Sequence, residues 1–349
     1  MFNPLCHLIC MEPGRPPPAM LCIALRAGRP GLCGLRFTLM LRNESGRLQS
    51  RLNPCVMLKK IVAAGIILSC CAAARADYLS DRKAAIKLVS GGTNEAALVL
   101  FIKMAEGPFS DFQKADALEQ AALCANRLKQ YDRALELAKQ IPLPAASKKC
   151  RMNLMRDNGK YAGLIAEFKD EKIDDWPESL VGDGLFSRGT AYYQLKDGKS
   201  AEADLKKAVE YIADEHTLGI AWLTLGNNYR GNLKDDQKAL EAYAQPVKMM
   251  RDGSGYHYSL NAVLSSADIL GKQGKYDEAL QVLGKADIKK YTGGNLCLLL
   301  AAHADILAGQ GRKAEAIAKL NEAVAVKDIP ASYKEAYEKR LKALQSGAK

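Results

Sequence analysis

Beyond residue 76 the chain holds three histidines, His216, His257 and His303, widely separated in sequence. No His-x3-His or Cys-x2-Cys pair accompanies them, so no metal-binding spacing is present. His303 stands among alanines on an expected helix, where a packed or surface imidazole is the plain reading. Gly182-Asp-Gly184 and Gly293-Gly294 do not make a phosphate-cradling loop and are expected to precede helices as turns. Gly253-Ser254-Gly255 has the wrong spacing for a nucleophile elbow and suits a flexible linker. The acidic run from Asp170 to Glu178 lacks the alternating ligands and central glycine of a calcium loop. It reads as a solvated turn, with Trp176-Pro177 opening the next helix pair. No catalytic residue, cofactor or metal site is therefore expected, and the question becomes one of binding.

The formal charge of +11 is unevenly distributed. Residues 1–76 carry ten Lys/Arg and two Asp/Glu, leaving 40 and 37 for residues 77–349, a net of only +3. With both signs interspersed, nothing points to nucleic acid. The boundary between the two regions reads as an export signal. Met57-Leu-Lys59-Lys60 is a short basic start, Ile61 to Leu68 is apolar, and Ala74-Arg75-Ala76 supplies small residues for cleavage before Asp77. The apolar stretch is shorter than the roughly 20 residues a membrane span needs. Residues 1–56 show neither helix nor strand periodicity and are expected to be disordered, or an over-extended reading frame if translation starts at Met57. Acylation at Cys70 is the alternative processing, but Leu68 is bulky for a lipoprotein signal. The expected product is periplasmic or extracellular. Its three cysteines, Cys124, Cys150 and Cys297, are too few and odd in number for a disulfide scaffold. Buried thiols are expected, with a Cys124–Cys150 bridge as the alternative.

The organising feature is repetition. Ala267-Asp-Ile-Leu-Gly-Lys-Gln-Gly-Lys-Tyr-Asp-Glu-Ala279 returns 37 residues later as Ala304-Asp-Ile-Leu-Ala-Gly-Gln-Gly-Arg-Lys-Ala-Glu-Ala316. Trp222-Leu-Thr-Leu225-Gly226-Asn-Asn-Tyr229, followed by Ala239 and Tyr243, fits W-x2-L-G-x2-Y with its downstream alanine and aromatic. Gly189, Tyr192, Ala201, Leu205 and Ala208 repeat the spacing, and Ala122, Ala134 and Ala138 follow it upstream, with Pro142 and Pro144 closing the second helix. On these residues the chain resembles the tetratricopeptide-repeat (TPR) family over roughly 80–345.

The resemblance implies an all-α solenoid of antiparallel helix hairpins, coiled as a right-handed superhelix. Small residues at the packed positions let paired helices approach closely. The second-helix anchors are 97, 134, 164, 201, 239, 279 and 316, at intervals of 37, 30, 37, 38, 40 and 37, mostly longer than the usual 34 or so. Longer turns, such as 232–236, and longer second helices would account for the excess. Two units are degraded, one at 85–104 and one at 159–168, whose first helix is expected to be short. Residues 331–345 form an amphipathic capping helix, giving six or seven hairpins plus a cap within 77–345, and a short tail at 346–349. HEAT-type repeats share the period but not the Gly/Tyr/Ala placement.

The resemblance also implies that the first helices line a concave groove holding an extended peptide or protein segment. By helical spacing, Asn126, Arg127, Asp183, Thr190, Tyr193, Asn227, Arg230, Asn261, Asp268 and Asp305 point that way. Amide and arginine side chains at regular steps suit hydrogen bonds to a peptide backbone, and Tyr193 is the one expected exposed aromatic. The expected role is a non-catalytic scaffold outside the cytoplasm. The alternative is an accessory domain or subunit serving a cell-envelope enzyme or an outer-membrane assembly complex.

Overall fold

The computed structural model describes residues 77–249, 257–327 and 329–346. The leading segment 1–56, the expected signal peptide 57–76 and the Gly253-Ser254-Gly255 linker lie outside the described residues. Internal contacts divide the chain after Asp77, and the helical array occupies the unit Tyr78–Lys349.

Every regular element among the described residues is helical. The helices pair as α1 (77–90) with α2 (Asn94–Glu106), α3 (Asp111–Arg127) with α4 (Tyr131–Lys139), and α5 (Pro144–Asp157) with α6 (Tyr161–Phe168). Next come α7 (Glu178–Gln194) with α8 (Gly198–Tyr211), and α9 (Glu215–Asn228) with α10 (Asp236–Lys248). The last pairs are α11 (His257–Lys272) with α12 (Tyr276–Leu283), and α13 (Gly293–Gly309) with α14 (Lys313–Val324), closed by α15 (Ala331–Ser346). Among the described residues that makes seven hairpins and a cap.

The period is written most sharply in the hairpin turns. At the end of each first helix one residue takes the left-handed conformation: Gly92, Lys129, Gly159, Lys196, Lys234, Gly274 and Gly311. Their intervals repeat those of the second-helix anchors. The following N–H then reaches back five residues to the helix, as from Gln130 to the Ala125 carbonyl and from Lys275 to that of Leu270, both at 2.9 Å. This is the Schellman closure, which suits glycine because it lacks a Cβ. In the fifth hairpin Tyr229–Leu233 winds as a π-helix, and Asp235 reaches back six residues, to the Tyr229 carbonyl at 2.9 Å. One inserted residue accounts for the 38-residue step there.

Lysine in the left-handed region costs roughly 1–2 kcal/mol, partly offset by the chain entropy that glycine would lose. Replacing Lys129, Lys196 and Lys234 together by glycine is expected to stabilise the fold by about 2 kcal/mol, read as a higher urea midpoint.

Packing follows the small positions. Ala97, Ala134, Ala201, Ala239, Ala279 and Ala316 are all fully buried. Gly189 of α7 lies against α8, where an added Cβ would sit 2.9 Å from Leu205 Cγ. Gly226 makes room for a side chain: a Cβ there would lie 2.4 Å from the ring of Tyr243 on α10. Polar caps hold the starts of several helices. The Ser110 hydroxyl accepts from the Gln113 N–H in a capping box, and Asp214 accepts from the Thr217 N–H at 2.8 Å.

Four local expectations are corrected. Pro144 does not close the second helix of its unit: α4 ends at Lys139, and Pro144 opens α5, where its missing N–H leaves no bond unmade. The short helix of the third unit is the second one, α6 with 8 residues, whereas α5 has 14. Gly182 and Gly184 lie inside α7, not before it. A Cβ at Gly184 would meet the Trp176 ring at 2.6 Å, so close packing rather than a turn calls for that glycine. Cys124, Cys150 and Cys297 are free and buried, so the alternative Cys124–Cys150 bridge is not formed. Burial pushes the Cys150 thiol up to about 12.

Candidate partner-binding face

The first helices α3, α5, α7, α9, α11 and α13 pack one against the next, while each second helix packs chiefly on its own partner and on the following first helix. The first helices thus form one continuous face, and the expected site residues fall along it. The structure ties Asn126, Arg230, Asp268 and Asp305 to a neighbouring repeat or to the cap.

Asn126 on α3 accepts from the Asn158 amide at 2.7 Å. Asn227 on α9 accepts from the Tyr243 hydroxyl at 2.7 Å. Arg230, just beyond α9, pairs with Asp268 on α11, which also accepts from Lys272 at 2.9 Å. Burial alone would raise the Asp268 carboxyl, but the hydrogen bonds from Lys272 and Arg230 outweigh it and hold the group below the usual carboxylate range. Asp305 on α13 pairs with Arg340 of the capping helix, and Asn261 meets His257 one turn away at 3.1 Å. Arg127 is exposed, while Asp183 and Thr190 are half-buried. The Thr190 hydroxyl oxygen is buried without a hydrogen-bond partner. Tyr193, expected to be exposed, is half-buried, and burial raises its hydroxyl pKa. Tyr243, which adjoins this set from α10, is pushed up to about 12, chiefly by burial.

Several residues of the same face were not anticipated. Arg82 on α1 grips Asp116 on α3 through two hydrogen bonds, of 2.6 and 3.1 Å, and Tyr78 donates to the same carboxylate at 2.5 Å. Lys149 on α5 reaches Glu119 on α3 at 2.6 Å. The fully buried Ser187 on α7 donates to Asn153 at 2.6 Å and accepts from Arg156 at 3.0 Å, both on α5. Each of these pairs joins complementary side chains about one repeat apart. The signal was available as opposite charges at repeat spacing, but it becomes specific only when the helix faces are known.

No group of acidic, histidine or cysteine side chains suited to a metal occurs among the described residues. His303 is packed, and burial together with the nearby Lys319 lowers its pKa, which Glu322 partly counters. A cleft lined by Ile288, Leu296, Leu300 and Val326 contains no histidine or cysteine. No described helix is long and apolar enough to cross a membrane.

Residues 183–215, from α7 through α8 into the start of α9, match the tetratricopeptide repeat model. This is the hairpin carrying Gly189, Ala201 and Leu205. That one segment of the array therefore matches a tetratricopeptide repeat. No curated protein matches the chain. Among solved structures it is similar to a tetratricopeptide repeat protein from Parabacteroides merdae, at 18% identity over 77% of this chain and 98% of that one, with a TM-score of 0.41. It is also similar to the TPR2AB domain of yeast Sti1 in complex with pHSP90, at 17% identity over 66% and 95% of the two chains, with a TM-score of 0.26. Yeast Tom70 shares 14% identity over 73% of this chain and 59% of that one, with a TM-score of 0.35.

Proposed function

We propose that the protein is a non-catalytic scaffold acting outside the cytoplasm, and that it binds an extended peptide or protein segment along the face of its first helices. TPR proteins are in general protein-interaction scaffolds, and the hairpin array supports that class of function. The observation that carries the finer reading is the polar cluster at the centre of the array. There Tyr193, Asn227, Arg230 and Asp268, from α7, α9 with its π-turn, and α11, gather about Tyr243. Arg230 and Asp268 are only partly buried, with side-chain exposures of 29% and 45%. A partly solvated ion pair contributes little to stability, so a peptide carboxylate or amide can replace either member at small cost.

Replacing Asn227 and Arg230 together with alanine is expected to weaken partner capture from cell envelopes about tenfold, while helicity by circular dichroism is retained. Unchanged recovery of the same partners by a folded double variant would exclude this face.

A further inference from the structure

We propose that the last hairpin and its cap form an acid-sensitive unit, opened by protonation of His303. The imidazole stands in the middle of the buried stripe of α13. Its neighbours one turn to either side, Leu299, Leu300, Ile306 and Leu307, are all buried. The ring is half-buried, and its Nε2 atom is buried without a hydrogen-bond partner among the described residues. In the neutral ring only one nitrogen carries a proton, whereas in the cation both do. Whichever tautomer is present at neutral pH, the cation therefore has an N–H at Nε2 with no acceptor. A charged donor left unpaired away from water is unfavourable.

The charged groups that act on the ring come from α14. Lys319 repels the cation and Glu322 attracts it. The Glu322 carboxylate is already held by Lys319, at 3.0 and 2.9 Å to its two oxygens. Among the described residues no charged group of α11, α12 or the turn Ile288–Lys290, which also pack on α13, acts on the ring. Arg340 of α15 is paired with Asp305, on another side of α13. Burial first, and Lys319 second, favour the neutral imidazole, and Glu322 opposes them. Once α14 moves off α13 the ring regains water and its ordinary affinity for a proton, so the opened state binds more protons than the closed one. The stability of this unit is then complete above the ordinary imidazole value of about 6.5, and it is lost as the pH falls below that value.

The array lets this end respond by itself, because each repeat touches only its neighbours. Helix α14 packs chiefly on α13, and α15 chiefly on α14. Movement of α14 off α13 therefore takes the cap with it and parts Arg340 from Asp305. Acid thus frees the last position of the candidate face. That consequence rests on the peptide-binding reading, whereas the opening itself does not.

The test is hydrogen exchange of the full chain, read by mass spectrometry at about pH 7.5 and about pH 5.5 and divided by the intrinsic rates. Protection in α13–α15 is expected to fall at the lower pH by up to about tenfold, the limit for an opened-state imidazole that titrates at about 6.5. Protection in α3–α6, which contain no histidine, is expected to stay level. His303→Gln should abolish the fall. Lys319→Gln, which removes the repulsion and frees Glu322, should lessen it, while His216→Gln and His257→Gln should leave it intact. The proposal is overturned by level protection of α13–α15 in the wild type, or by an equal fall along the whole array. An undiminished fall in His303→Gln, or a larger one in Lys319→Gln, would also overturn it. None of these results depends on the peptide-binding face.

Discussion

Gly226→Ala is expected to destabilise the protein by about 3 kcal/mol, although alanine is the better helix former by about 1 kcal/mol. The new methyl group would lie 2.4 and 2.5 Å from two ring carbons of Tyr243. That ring is fully buried, and its hydroxyl is tied to Asn227. It cannot swing aside without breaking the hydrogen bond and disturbing the α9–α10 pair, so overpacking outweighs helix propensity. Urea unfolding with the slope unchanged reads the effect directly. Combining Gly226→Ala with Tyr243→Leu should recover part of the loss, because the smaller side chain yields the space. A Gly226→Ala protein as stable as the wild type would show that the two helices are not held at this distance.

The second large effect is expected at Asp204. Arg188 on α7 and Asp204 on α8 form a two-pronged ion pair of 2.7 and 2.9 Å, with side-chain exposures of only 13% and 11%. The remaining arm of Arg188 donates to the Glu171 carbonyl at 2.9 Å, securing the turn between the third and fourth hairpins. Asp204→Ala leaves that guanidinium buried without its counter-charge, at an expected cost of about 3 kcal/mol. Removing both charges as Arg188→Met with Asp204→Leu should cost less than the single change, because no uncompensated charge remains. If chemical denaturation finds the double variant worse than Asp204→Ala, the pair is stabilising in its own right and the desolvation argument is wrong.

These two sites were unequally legible. Gly226 sits in the most readable motif of the chain, Trp222 to Tyr229, and its smallness was expected there to let helix backbones approach. The structure assigns the space to an aromatic ring instead. The Arg188–Asp204 pair was not anticipated, although its members are only 16 residues apart. Charged residues on a helix read as solvated by default, and only the packing of α7 on α8 buries both. The left-handed lysines escaped notice for a related reason. Gly159, Gly274 and Gly311 mark their turns in the sequence, whereas Lys129, Lys196 and Lys234 occupy equivalent backbone positions without any compositional sign.

The candidate face shows the same division. Helical spacing placed Asn126, Asn227, Arg230, Asp268 and Asp305 on one side of the first helices. It could not reveal that they already bond to other parts of the chain, because those partners depend on how one repeat is set against the next.

Periodicity within the sequence determines the helix pairs and the small residues at their contacts, since those follow from 3.6-residue turns and from volume at fixed spacing. Tertiary structure alone decides which polar side chains are consumed in joining repeats and which stay free for a partner. Those pairings span 30 to 38 residues between Arg82 and Asp268, and they form only when adjacent hairpins bring the two faces into register.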